Sequence, residues 1–307
     1  MAGRGFRAAL VAAGLCVLAG QAAAQERVTL GWGRMFSNDA IGDGHDRWRT
    51  GSYTVSYLRG AAWDGALPST FGDILEFRAS GQTIAPANLA DPAPDDRRYA
   101  GVLTFGLHTH FDWMGFETSV GADLDVTGPQ TGLSNFQQQV HDWTNLPDPE
   151  PALENQIPNH VYLTALAEMG KEFPMGDAGR IRPFVEAQAG LETYVRAGAD
   201  LTFGGFGEGS LLLREYMTGQ RYRAIKGDLI TGTSFTLGAD VAHVFDSALL
   251  PDGGAAELAS TRARARAGIQ WQGERASVFY GLSYLGEEFV QQPEGQIVGS
   301  LNINLRF

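Results

Sequence analysis

Cysteine, lysine and long apolar runs are what this sequence has least of. Its 307 residues include a single cysteine, Cys16, so no intramolecular disulfide can form and the fold must hold without one. Leu15 stands before Cys16 where a lipoprotein signal requires a small residue. Only Lys171 and Lys226 are lysines, which makes nearly all the positive charge arginine, the side chain suited to bidentate contacts with carboxylate and phosphate. The longest apolar run, Ala8 to Ala19, falls short of the roughly 20 residues a helix needs to cross a bilayer. No later run of that length escapes interruption by charge, which excludes a helical membrane protein.

That short run has a different use. Arg4 and Arg7 precede it and Gln21-Ala22-Ala23-Ala24 follow it before Gln25, the layout of a cleavable export signal. We therefore expect residues 1–24 to be a leader and 25–307 to form one domain, with no internal repeat or linker. Removing Arg4 and Arg7 takes the formal charge from −12 to −14. Such acidity argues against a nucleic-acid partner.

What the chain does have is alternation with a period of two. Ile297, Gly299, Leu301, Ile303, Leu305 and Phe307 share one parity, and Gln296, Ser300, Asn302, Asn304 and Arg306 the other. Val278, Tyr280, Leu282 and Tyr284 oppose Ser277, Gly281 and Ser283, while Ala263, Ala265, Ala267, Ile269 and Trp271 oppose Arg262, Arg264, Arg266 and Gln270. A soluble sandwich gives the same parity with its faces exchanged. Strands of roughly 10 residues, aromatics near their ends, short turns alternating with long polar loops, an export signal and a terminal Phe favour an all-β transmembrane antiparallel barrel with a polar lumen.

The pattern predicts twelve strands, at about 26 to 36, 48 to 59, 71 to 81, 98 to 110, 113 to 125, 160 to 172, 180 to 190, 194 to 204, 232 to 246, 259 to 272, 275 to 288 and 295 to 307. Exterior loops are expected near 37 to 47, 82 to 97, 126 to 159, 191 to 193, 247 to 258 and 273 to 274. Leu211 to Tyr222 reads either as a strand or as part of an ordered periplasmic segment, and an even strand count favours the segment.

Three polar clusters fall at loop ends of the early strands. Ser37-Asn38-Asp39 leaves strand one, and Asp46-Arg47-Trp48-Arg49-Thr50-Gly51 enters strand two, where Thr50 shares the lumen parity of Ser52, Thr54 and Ser56. Phe136-Gln137-Gln138-Gln139-Val140-His141 reads as a short helix in the third exterior loop. Each has an ordinary explanation: Asn and Asp serve turns, a lumen hydroxyl is unremarkable, and a histidine often caps or packs. Together they suit chemistry, because oxygen-rich side chains hold a hard cation such as Ca2+ and a neutral histidine beside them deprotonates water. His45 competes as a base or ligand. Arg262, Arg264 and Arg266 read as lumen charges neutralised by residues such as Asp240 rather than as a phosphate site. His108 and His110 lack a third ligand and read as lumen polarity. Trp32, Tyr53, Tyr57, Trp271, Tyr280 and Tyr284 read as lipid-facing aromatics.

Across nearly the whole exported chain the sequence resembles the lipid A 3'-O-deacylases, calcium-dependent twelve-stranded barrels of the bacterial outer membrane. The resemblance rests on the order and spacing of Asn38-Asp39, Asp46-Arg47 to Thr50-Gly51, Gly81-Gln82-Thr83-Ile84 with Pro86, and Asp95-Asp96-Arg97-Arg98-Tyr99-Ala100-Gly101. It continues through Gly128-Pro129, Gln139 with His141, Asn155-Gln156-Ile157 and the closing strand. It implies a Ca2+-dependent ester hydrolase that removes the 3'-linked acyloxyacyl chain from lipid A, as a monomer among outer-membrane lipids. By the same resemblance His141 is the general base, Asp39 and Asn38 are metal-side residues, and Asn38 and Thr50 position metal, water or ester. Some members place a lysine in the second exterior loop; this chain has none between Gly51 and Asp96, and Arg97 or Arg98 is the expected substitute for its charge. The competing expectations are a non-catalytic barrel, either a narrow porin or a structural protein, and an outer-membrane phospholipase. No histidine here is followed two residues later by serine, which weakens the last.

Overall fold

Alternating strands whose two faces both need cover close on themselves, apolar face to lipid and polar face inward, because closure leaves no unpaired edge. A computed structural model describes residues 27–305 except 145, 147, 177, 178 and 228; the expected leader, Arg306 and Phe307 lie outside the described residues. Along the chain the strands are β1 (Val28–Asn38), β2 (Trp48–Gly60), β3 (Ile74–Ala85), β4 (Ala100–Trp113), β5 (Phe116–Thr127), β6 (His160–Gly170), β7 (Phe173–Met175) and β8 (Gly179–Ala189). Then come β9 (Glu192–Phe203), β10 (Leu211–Arg214), β11 (Arg221–Ile225), β12 (Gly232–Ser247), β13 (Thr261–Gln272), β14 (Ala276–Leu285) and β15 (Gln296–Leu305).

Every pairing is antiparallel. The sheet runs β6-β5-β4-β3-β2-β1-β15-β14-β13-β12-β9-β8, and β6 pairs again with β8 to close a barrel of twelve wall strands. β7 only forms a hairpin with the start of β8. Outward parity holds the expected aromatics at the surface, including Trp32, Tyr53, Trp271, Tyr280 and Tyr284. Because successive wall strands reverse direction, the loops at 39–47, 86–99, 128–159, 190–191, 248–260 and 286–295 share one end. The 273–275 turn lies at the opposite end, contrary to its expected place among the exterior loops; strand reversal puts 286–295 there instead.

The segment 205–231 contains a hairpin, β10 paired with β11, that folds back into the lumen rather than staying outside the barrel as an ordinary periplasmic segment. Two glycines on β1 admit it. A Cβ at Gly31 would lie 2.1 Å from the Ala224 carbonyl oxygen, and one at Gly33 2.8 Å from the Tyr222 ring. Leu211, Leu213, Tyr222 and Ile225 pack with Met35, Leu58, Ile74 and Phe279, giving the barrel a small apolar core of its own.

Above that core the hairpin is tied down by polar contacts. Arg214 reaches Glu168 and Asp200 at 2.9 Å, Ser52 donates to Glu215 at 2.8 Å, and the Tyr216 hydroxyl donates to Asp123 at 3.0 Å. The lumen arginines behave as expected of paired charge: Arg264 and Arg266 bind Asp240, Arg266 also Asp200, and Arg262 binds Glu192. His108 and His110 are held by Asp123 and Glu76, each at 2.7 Å.

Candidate active site

At the loop-rich end β1 runs out on Asn38, whose Oδ1 accepts from Ala40 N at 2.8 Å and caps the single turn Asp39–Ile41. The turn buries Asp39, whose Oδ2 accepts from Arg47 N at 3.0 Å. β2 then begins irregularly: Trp48 has φ 51° and the register slips by one residue between Trp48 and Gly51. This bulge breaks the alternation. Arg49 turns into the lumen, where its guanidinium meets Glu288 and Glu192 at 2.8 and 3.1 Å. Thr50, expected in the lumen by parity, lines a groove on the outer side of the wall instead.

The far wall of that groove is helix α1 (Leu133–Thr144), longer than the six residues expected from sequence. Close approach at its start needs Gly101, because a Cβ there would lie 3.0 Å from that of Leu133. The helix buries Ser134, Gln137 and His141, a polar stripe, against the barrel. His141 Nε2 lies 2.8 Å from Asp46 Oδ2, and the Thr50 hydroxyl donates to Asp46 Oδ1 at 2.5 Å. Gln137 Nε2 lies 3.3 Å from Asp46 Oδ2. Asp46 is thus the hub of the cluster, a role that sequence reasoning missed although it quoted the residue. Its four-residue offset from Thr50 and its neighbouring Arg47 carried no distinguishing signal.

All four residues singled out from sequence, Asn38, Asp39, Thr50 and His141, line this one groove of about 620 Å³ with Asp46 and Gln137. Its remaining walls are largely apolar: Phe36, Tyr53, Leu133, Phe136, Val140 and Leu146. His45 does not line it; the ring is exposed and 3.6 Å from Asp43. Nor do Arg97 and Arg98 supply the expected charge. Arg97 is buried beneath the loops against Glu288, and Arg98 donates to the carbonyls of Asn155 and Gln156 at 2.7 Å.

Among the described residues the groove lining therefore contains two carboxylates and no lysine or arginine. Burial, reinforced by the neighbouring Asp46 carboxylate, pushes the Asp39 carboxyl up to about 8, against the pull of the Arg47 backbone N–H and the nearby Thr50 hydroxyl. Gln137 Oε1 is buried without a hydrogen-bond partner. No three His, Cys, Asp or Glu among the described residues converge as a metal set. A cation here has to draw on amide and hydroxyl oxygens beside the carboxylates, the donor set of a hard ion such as Ca2+ and not of zinc.

Comparison with known proteins bears on the whole chain. The model of the family described as outer membrane protein LpxR matches residues 8–307. No curated protein matches the sequence. Among solved structures, LpxR from Salmonella typhimurium aligns with a TM-score of 0.73 at 18% identity, covering 90% of this chain and 100% of that one, a likeness of fold. The β-domain of the Bordetella autotransporter BrkA aligns at 0.44 and 9% identity, covering 91% and 99% respectively. With the family match spanning nearly the full sequence on a closed twelve-stranded barrel, the chain belongs to the outer membrane protein LpxR family, the lipid A 3'-O-deacylase family that its sequence resembles.

Proposed function

We propose that this protein hydrolyses the 3'-O-linked acyloxyacyl ester of lipid A at the groove between the barrel wall and α1. The observation that carries the reading is the convergence of His141, Asp46, Thr50 and Asp39 in a groove, on the lipid side of the wall, whose other walls are largely apolar. An acyl chain held between Phe36, Tyr53, Leu133, Phe136 and Val140 would present its ester to those polar groups.

Asp46 faces His141 Nε2 at 2.8 Å and orients the ring, so that neutral His141 can serve as the base. In its neutral form His141 takes a proton from water, the resulting hydroxide adds to the ester carbonyl carbon, and the same proton is returned to the sugar oxygen as the carbon–oxygen bond breaks. The products are the free acid and the 3'-hydroxyl. Asp39, with Asn38, Thr50, Asp46 and the Gln137 amide oxygen, would hold Ca2+. When bound, the cation supplies positive charge opposite the developing oxyanion. A groove with acidic groups and no side-chain cation is complementary to that demand.

The test is lipid A extracted from a Gram-negative host expressing wild type or His141→Ala, grown with Ca2+ or with EDTA, and weighed by mass spectrometry. Loss of the 3' acyl mass only with wild type and Ca2+ supports the reading. Unchanged lipid A from folded wild type with Ca2+ overturns it.

A further inference from the structure

Helix α1 has three faces rather than two. At 100° per residue, Ser134, Gln137 and His141 fall together and are buried against the barrel. Asn135, Gln139 and Asp142 fall on the opposite side and are exposed. Leu133, Phe136, Val140 and Trp143 occupy the flank between them. On that flank Phe136 is 61% exposed and Trp143 77%, large apolar surfaces with little protein over them. A soluble helix of this length would turn those residues inward and leave the glutamines out; here the polar stripe is the one buried.

The apolar flank continues a surface whose solvent is already established. The outer wall at the same end carries Phe36, Tyr53, Phe105, Leu124 and Leu163, all exposed, as part of the barrel's apolar band. Leu133, Phe136 and Val140 form the groove wall opposite Phe36 and Tyr53, while Trp143 lies beyond the groove lining. The flank has no lysine or arginine to hold an acidic partner, and its end aromatic is the type that settles at the boundary of headgroup and hydrocarbon.

We infer that the occupant of this flank is the outer-leaflet lipid itself, and that α1 is an interfacial anchor whose seating in the membrane holds His141 against Asp46. The start of the helix is fixed by Leu133 on Gly101. Towards its C-terminal end, among the described residues, Gln137 and His141 both make polar contacts with Asp46. Lipid contact at Phe136 and Trp143 therefore supports the arm that carries the histidine, and coupling between the membrane surface and the site is built in. The activity arm of this inference rests on the deacylase reading; the structural arm does not.

Spin labels separate the two. Single substitutions Phe136→Cys and Trp143→Cys, with Gln139→Cys and Asp142→Cys as water-side controls, are made in a Cys16→Ser chain and reconstituted in phosphatidylcholine–phosphatidylglycerol vesicles. Labels at 136 and 143 are expected to collide with oxygen and be shielded from a water-soluble nickel complex, and those at 139 and 142 to show the reverse. Equal nickel accessibility at all four positions overturns the inference. So does strong spin–spin coupling between copies at 143, which would make a second copy of the chain the occupant. In the activity arm, Trp143→Ser is expected to lower lipid A turnover in membranes about tenfold, the scale of losing one large apolar contact. Folding is checked by heat-modifiable migration. Absence of turnover in every chain with the labels still lipid-shielded would refute the deacylase reading alone.

Discussion

The lumen and the outer groove of this barrel both bury carboxylates, and they treat most of them in opposite ways. In the lumen Asp240 accepts from Arg264 at 2.9 Å and from Arg266 at 2.5 Å, Asp200 from Arg214 at 2.9 Å, and Glu168 from both Arg182 and Arg214. In the groove Asp39 meets a backbone N–H, a hydroxyl and another carboxylate, and no arginine. Buried charge is costly unless paired. Most lumen carboxylates are paired with arginine in this way, whereas Asp125 and Glu215 there accept only from hydroxyls and backbone N–H groups. What sets the groove apart is that its two acids stand together at a lining with no arginine or lysine among the described residues.

That contrast breaks most sharply at His141. His141→Ala is expected to reduce lipid A deacylation by about 10²- to 10⁴-fold, the range of a lost general base, with the barrel's heat-modifiable migration unchanged. Asp46→Asn keeps the shape but removes the charge facing Nε2, and a loss of about a hundredfold is expected, in line with residues that orient a catalytic histidine. If mass spectrometry shows full deacylation by either folded variant, the groove is not the reaction site. Asp39→Asn removes the carboxylate that lacks a cationic partner, so its residual activity should no longer respond to EDTA or added Ca2+. A variant that still needs Ca2+ at the wild-type concentration would move the cation elsewhere.

On the lumen side the expectation inverts. Asp240→Asn leaves Arg196, Arg264 and Arg266 with one fewer carboxylate in a closed space. Breaking a buried pair from one side costs about 3 to 5 kcal/mol. The temperature at which the folded band is lost on gels should fall markedly, while turnover per folded molecule at low temperature stays at wild type. Loss of turnover without loss of stability would show that the lumen network takes part in chemistry, and would dissolve the distinction between the two regions.

How much of this was legible in the sequence follows from which forces act locally. Parity is a local property of consecutive residues, so the wall strands, the outward aromatics and the polar lumen could be read directly, as the β13 row Arg262, Arg264 and Arg266 shows. The bulge at Trp48–Gly51 is set by pairing with β3, and no residue in Trp48-Arg49-Thr50 announces it; parity therefore placed Thr50 on the wrong side. The inward fold of 205–231 depends on Gly31 and Gly33, nearly two hundred residues earlier, which read as ordinary strand glycines until Ala224 and Tyr222 are set against them. Asp46 looked like a turn acid because its partner His141 comes from a different loop. The candidate residues Asn38, Asp39, Thr50 and His141 were named through family resemblance, and that they line one groove is visible only in the structure.

The smallest effect tests the quietest part of the comparison, the hairpin that folds into the lumen. Tyr222 is fully buried, with its hydroxyl 2.9 Å from Ser56 Oγ and its ring among Met35, Leu58 and Phe279. Tyr222→Phe keeps the ring and removes one hydrogen bond, which is worth about 1 kcal/mol. For a chain of this size that corresponds to a shift of roughly 2 to 4 °C in the unfolding midpoint. No change in deacylation is expected, because the ring still fills the space that Gly33 leaves for it. Planar-bilayer recordings should stay silent for wild type and variant alike, since the apolar contacts of β10 and β11 with the wall persist. A steady conductance from the variant would mean that the single Ser56–Tyr222 bond keeps the lumen shut, and that the hairpin is a gate rather than a part of the core.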